Sequence, residues 1–260
     1  MNTSQTKLQS QMAASGRPRW TDSVLLVVAM FAAWQVASWG FGTAVLPTPM
    51  TTLQQVWYEI SDVEFAANLA ETSKAFSVAL LISLVGGAVV GILLGARRLA
   101  GDVFEPLLIA LYSIPKIALY PVILLMFGLG ISAKIAFGAI HGIIPVMIIT
   151  MTAVRNVRPV YRRAIQSHRL TAWQGMVHVL IPATVPEIVA GLRIGFSLTL
   201  LGTLLGEMFA SQRGIGHLLM IAIERNDAAT IMALALMLFI FATVVSMGLL
   251  QWDRHLRHTA

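Results

Sequence analysis

Charge is absent from four long stretches of this chain. Ser23 to Leu46, Ala75 to Ala96, Ile135 to Val154 and Ala228 to Trp252 contain no Asp, Glu, Lys or Arg. Each reaches the roughly 20 apolar residues that an α-helix needs to cross a bilayer. A lipid-exposed segment must satisfy its own backbone hydrogen bonds, and runs of this kind do so as helices. Composition agrees: 57 % of the 260 residues are hydrophobic and 12 % charged, with mean hydropathy +0.77. That is too much apolar surface for one soluble core. There is no Cys, which excludes a disulfide framework and a thiolate metal site.

Of two further spans, one is interrupted. Glu105 to Gly130 carries Pro115, Lys116 and Pro121 inside an apolar run, and a break at membrane depth is tolerated only where protein or a water-filled cavity satisfies the freed backbone. Ile194 to Gly206 is apolar and, with the residues before it, supplies a fifth span ending at Glu207. The expectation is an all-α polytopic membrane protein with six transmembrane helices, at about 23–46, 75–96, 105–130, 134–154, 187–207 and 228–252. Residues 1–20 read as a polar tail and 253–260 as a second tail. A cleaved signal peptide is the rival reading of the N-terminal region, but 23–46 is longer than the 7–15-residue core of such a peptide. With the N-terminus inside, Lys7, Arg17, Arg19, Arg97, Arg98, Arg155, Arg158, Arg162, Arg163, Arg169, Arg254 and Arg257 fall on the cytoplasmic side. Arg213, Arg225, Lys74 and Lys134 fall on or near the other. Twelve against four fits the positive-inside rule and puts both termini in the cytoplasm. The net charge of +6 therefore reflects topology, and nucleic acid is not an expected partner.

Between the fourth and fifth spans lies a basic, Pro-punctuated insert, 155–186. Pro159 suits a first helical turn, so Val160 to His168 is expected to be helical. Thr171 and Gln174 form a capping-box pattern that starts a second short helix. Pro182 and Pro186 bias Ile181 and Val185 toward extended backbone, predicting a break before the span. Small residues Gly86, Gly87, Gly91 and Gly95 predict a closely packed second span. Leu53, Val56, Trp57 and Ile60 form a stripe on a helix over 51–62, which reads as an interfacial helix or a packed connector.

The insert resembles the cytoplasmic "EAA" loop of permease subunits in binding-protein-dependent ABC importers, closest to the nitrate, sulfonate and taurine branch. The residues that carry the likeness are Trp173-Gln174, Ile181-Pro182, Val185-Pro186-Glu187-Ile188 and Gly191-Leu192-Arg193, with Pro106, Ile114-Pro115, Ala118, Pro121 and Phe127-Gly128 in the third span. The resemblance implies a translocation subunit in the bacterial inner membrane with no cofactor. It also implies partners: an ATPase pair, an external solute-binding protein, and a second permease, identical or related, in the same bilayer. It implies ATPase coupling through Tyr161, Arg163, Ala164, Ile165, His168, Arg169, Thr171, Trp173 and Gln174. Three positions depart from the pattern. Arg163-Ala164-Ile165 stands where the family has Glu-Ala-Ala, and Arg169 where it has a Gly that supplies a left-handed helix end. Either Arg169 adopts that conformation at a cost of about 1–2 kcal/mol or the turn is built differently.

The chain lacks G-x-x-x-x-G-K-[ST], G-x-S-x-G and H-E-x-x-H, so no catalytic role is expected and ATP would be hydrolysed by a partner. Tyr112, Pro115 and Lys116 are candidate path residues. Lys116 either faces an interior cavity or snorkels and meets carbonyls freed by the break. His141 reads as an interior hydrogen-bonder without a metal role, and Glu207 as a structural outer-end charge. Gly214 and Gly216 read either as the family's Gly-rich stretch or as a flexible loop. A small organic or inorganic anion, such as a sulfonate or nitrate, is the expected solute by resemblance. The alternative is a self-contained secondary transporter or channel, which would call for inverted repeats and intramembrane carboxylates.

Overall fold

The computed structural model describes residues 20–259, and these contain helices and no strand. The expected tail therefore lies outside the described residues, apart from Trp20. In chain order the helices are α1 (Trp20–Phe41), α2 (Pro49–Ser61), α3 (Val63–Ala96), α4 (Arg98–Ser113), a 3₁₀ turn (Lys116–Leu119), α5 (Tyr120–Phe127) and α6 (Ile131–Arg155). They continue as α7 (Pro159–Ser167), α8 (Ala172–Gly175), a π-helical turn (Met176–Leu180), α9 (Ile181–Ala210), α10 (Ile215–Glu224) and α11 (Ala228–Thr259). Five helical segments are long and apolar enough to cross a membrane, six if α4 and α5, bent by 84° to each other, are one span.

The centre is α3, α6 and α9. Helices α3 and α6 run parallel, with Gly87, Gly91 and Gly95 against α6: a Cβ at Gly91 would lie 2.7 Å from the Met147 carbonyl, and one at Gly95 2.6 Å from that of Met151. Helix α9 runs antiparallel to α6, with Gly142 against Thr199 and Gly138 against Thr203. No hydrophobic effect drives helices together in lipid, so close backbone approach and dispersion supply the attraction. Polar groups at this seam bond across it: Ser83 Oγ donates to the Ala139 carbonyl at 3.1 Å, and Thr199 Oγ1 to Ser83 at 3.2 Å. Helix α11 closes the outside of α9 through Phe76, Phe196 and Phe241. Helix α1 is mostly exposed, held by Trp34 Nε1 donating to the Pro47 carbonyl.

Several boundaries differ from expectation. The helix that carries the second span starts at Val63, twelve residues before Ala75, and Asn68, Glu71 and Thr72 in its added turns have buried partners. The third starts at Arg98. The expected break at Pro182 and Pro186 is absent: α8, the π turn and α9 form one apolar span, Trp173–Phe209. Pro182 lies in the first turn of α9, just after the wide turn in which Ile181 N–H bonds to Met176 O. A π bulge accommodates the missing proline donor without ending the helix. The residues expected as a C-terminal tail continue α11 to Thr259. The apolar stripe of α2 faces outward, with Trp57 75 % exposed, while Gln55 and Glu59 on the other side bond to Thr230 of α11.

Candidate functional site

At one end of the bundle α7 and α8 make a helical hairpin outside the core. Helix α7 ends in a Schellman motif: Leu170 N–H bonds to Ile165 O, and Arg169 N–H to Gln166 O. The motif needs a left-handed residue after the cap, and Arg169 takes it at φ 49°. Of the two possibilities left by the sequence, the chain therefore accepts the strain. Helix α8 starts with the predicted capping box, Gln174 N–H donating to Thr171 Oγ1 at 3.3 Å and Thr171 N–H to Gln174 Oε1 at 3.0 Å.

The nine residues singled out in this loop divide by exposure. Tyr161, Ala164 and Ile165 are half-buried, Ile165 lying over Gly175. Arg163, His168, Arg169, Thr171, Trp173 and Gln174 are exposed, Trp173 at 72 %. Tyr161 lines a cavity of about 650 Å³ with Arg158, Pro186 and Glu187. Arg163 borders a different cavity with Arg155 and Gln166.

The base of the hairpin is tied to the broken span. Arg155, the last residue of α6, pairs with Asp102 and Glu105 of α4. At the far end of α4 the helix stops before Pro115, and Tyr112, Pro115 and Lys116 lie together. Lys116 Nζ donates to the Tyr112 carbonyl at 2.9 Å and sits 4.7 Å from its ring centroid. Lys116 thus contacts a carbonyl beside the break. His141 has an interior partner, with Nδ1 2.8 Å from the Phe137 carbonyl.

The opposite end holds a buried charge network. Glu207 on α9 is fully buried; Thr72 Oγ1 donates to it at 2.9 Å and Gly216 N–H at 3.0 Å. Lys134 on α6, 2 % exposed, lies 3.2 Å from Glu71 and 3.8 Å from Glu207, and donates to the Arg213 carbonyl at 2.7 Å. Gly214 N–H donates to Asn68 Oδ1 and Ile215 N–H to Thr72 Oγ1. Gly214, at φ +120°, lies against the Glu207 carboxylate, where a Cβ would overlap it. The glycine pair is thus a packed seat for that carboxylate, not a flexible loop. Sequence reasoning left Lys134 at the membrane border and gave Glu207 no partner. The usable signal was two opposite lone charges at matching ends of adjacent, small-residue helices.

The family model described as binding-protein-dependent transport system inner membrane component matches residues 83–258. The chain is 27 % identical over 233 residues to a putative aliphatic sulfonates transport permease protein of Bacillus subtilis, covering 88 % of this chain and 84 % of the relative. It is 30 % identical over 213 residues to a nitrate import permease protein of Synechocystis, covering 77 % and 74 %. It is 25 % identical over 197 residues to a formylaminopyrimidine transport permease protein of Halalkalibacterium halodurans, covering 75 % and 78 %. These matches favour a component of a larger importer over a self-contained carrier. An all-α bundle of apolar spans with a solvent-facing hairpin, matched over most of its length, belongs to the binding-protein-dependent inner-membrane component family and is a translocation subunit of an ABC importer.

Proposed function

We propose that the end carrying α7 and α8 faces the cytoplasm and docks a separate ATPase pair, which hydrolyses the ATP that drives uptake. Both termini then lie on the cytoplasmic side, and the Glu207 end faces the solute-binding protein. The observation that carries this reading is the hairpin itself. It is held in one shape by a Schellman motif and a capping box, yet presents Arg163, His168, Arg169, Thr171, Trp173 and Gln174 to solvent. An exposed Trp and cations on a rigid scaffold fit a partner surface better than a solvated loop. Arg163 and Arg169 give it positive charge, which calls for an acidic cleft on the ATPase.

The translocation path is proposed to form where two permease copies meet, bordered by Tyr112, Pro115 and Lys116. The solute is proposed to be a small organic or inorganic anion such as a sulfonate or nitrate, in keeping with the solutes in the names of two relatives. Lys116 supplies a positive charge on that face. Affinity capture of the tagged chain from native membranes in mild detergent, with partner masses read, tests the assembly. An ATPase is expected, with one permease species for a homodimer or a second for a heterodimer. A folded chain that brings down no ATPase would sink the reading. Arg163→Glu is expected to weaken capture; unchanged capture and uptake would remove the acidic-cleft idea.

A further inference from the structure

We infer that Arg155 is a positioning residue that transmits movement of the α7–α8 hairpin to the broken span. The inference rests on the docking role proposed above. Arg155 closes α6, and three residues separate it from α7. Its side chain crosses α4 at Gly101, where a Cβ would lie 3.1 Å from Arg155 Cδ. Nη2 then takes Asp102 and Nη1 takes Glu105, carboxylates one helical turn apart.

Partly exposed ion pairs add little to stability, so this arrangement has a geometric consequence more than an energetic one. A planar guanidinium divided between two carboxylates fixes both the height and the rotation of α4, which a lysine ammonium would not. Helix α4 is one helix from Arg98 to Ser113, with Pro106 inside it, so Ser113 lies about 16 Å along the helix from Asp102 at 1.5 Å per residue. The break at Ile114 and Pro115 follows at once. A shift of the hairpin base therefore tilts α4 and re-aims the Tyr112, Pro115 and Lys116 cluster. No other ion pair among those described between α6 and α4 could carry this motion.

The absence of native Cys makes a direct test possible without identifying the solute. The Ser113→Cys variant, reconstituted in liposomes with its ATPase, is labelled with a membrane-impermeant maleimide, nucleotide-free and after trapping with ATP and vanadate. The labelling rate is expected to differ severalfold between the two states. Arg155→Ala in that background should reduce the difference to less than about twofold while retaining the ATPase at unchanged stoichiometry. Arg155→Lys, which keeps the charge and the fold, should fall between. Arg155→Glu with Asp102→Arg and Glu105→Arg should restore most of the difference. A nucleotide-dependent difference that survives Arg155→Ala, one absent from Ser113→Cys alone, or no recovery in the reversed triple variant would overturn the inference. Loss of the ATPase from Arg155→Ala would make Arg155 part of the docking surface and equally overturn it. Failure of the unsubstituted chain to hold an ATPase would instead defeat the docking reading, and the inference with it.

Discussion

The two ends of the bundle use charge in opposite ways. At the Glu207 end, Glu71, Lys134 and Glu207 are drawn into the protein, and their remaining lone pairs and protons are met by Thr72, Gly216 and the Arg213 carbonyl. At the hairpin end, Arg163 and Arg169 stand in solvent on a shaped backbone. A buried ion pair costs much to desolvate and is retained only with such partners; an exposed cation costs little and stays available to another molecule. The first end should govern folding, and the second assembly.

That contrast can be broken most directly by Lys134→Met. It leaves the Glu207 and Glu71 carboxylates without their cation, and loss of one partner of a buried pair costs about 3–5 kcal/mol. The expected result is a sharp fall in thermal stability in detergent and in membrane accumulation. A variant that melts like the original would show that the network is not needed for folding. Gly91→Leu strikes the seam instead. The new Cβ meets the Met147 carbonyl, which cannot move aside as a side-chain tip can, and overpacking of this kind costs about 1–3 kcal/mol. Its melting temperature should fall less than that of Lys134→Met.

Substitutions in the hairpin should affect stability least. Thr171→Ala removes the cap of α8 and should cost about 1 kcal/mol, seen as faster amide exchange at Gln174 while the bundle melts unchanged. Arg169→Gly removes a left-handed non-glycine residue and should stabilise the hairpin by about 1 kcal/mol, with slower exchange at Leu170. Capture of the ATPase should respond to Arg169→Gly if the guanidinium faces the partner. If capture is unaltered, the position serves only the turn.

Much of the hairpin was legible because its signals are local. Pro159 starts α7, and Thr171 with Gln174 starts α8; each requires only residues within one turn. The same local reasoning failed at Pro182, where the helix continues from a π turn, and at Pro186, which lies inside α9. A proline removes one donor, but whether the helix stops depends on whether the neighbouring turn can widen and still pack. The Schellman turn at Arg169 was legible only as a choice between two geometries, because the backbone alone decides which strain is accepted.

The charge network shows the other limit. Lys134 and Glu207 are 73 positions apart in the chain, and no local pattern says that they meet. The apolar runs, the break around Pro115 and the capped hairpin are readable from the chain alone, since hydropathy, missing donors and capping chemistry act over a few residues. Tertiary structure alone decided that α3 and α6 run parallel with glycines between them, that Glu207 sits against Gly214 and Gly216, and that Arg155 grips α4. The physical reason is that these depend on which helix faces come together, and in lipid that is settled by close packing and polar pairing across the seam rather than by hydropathy.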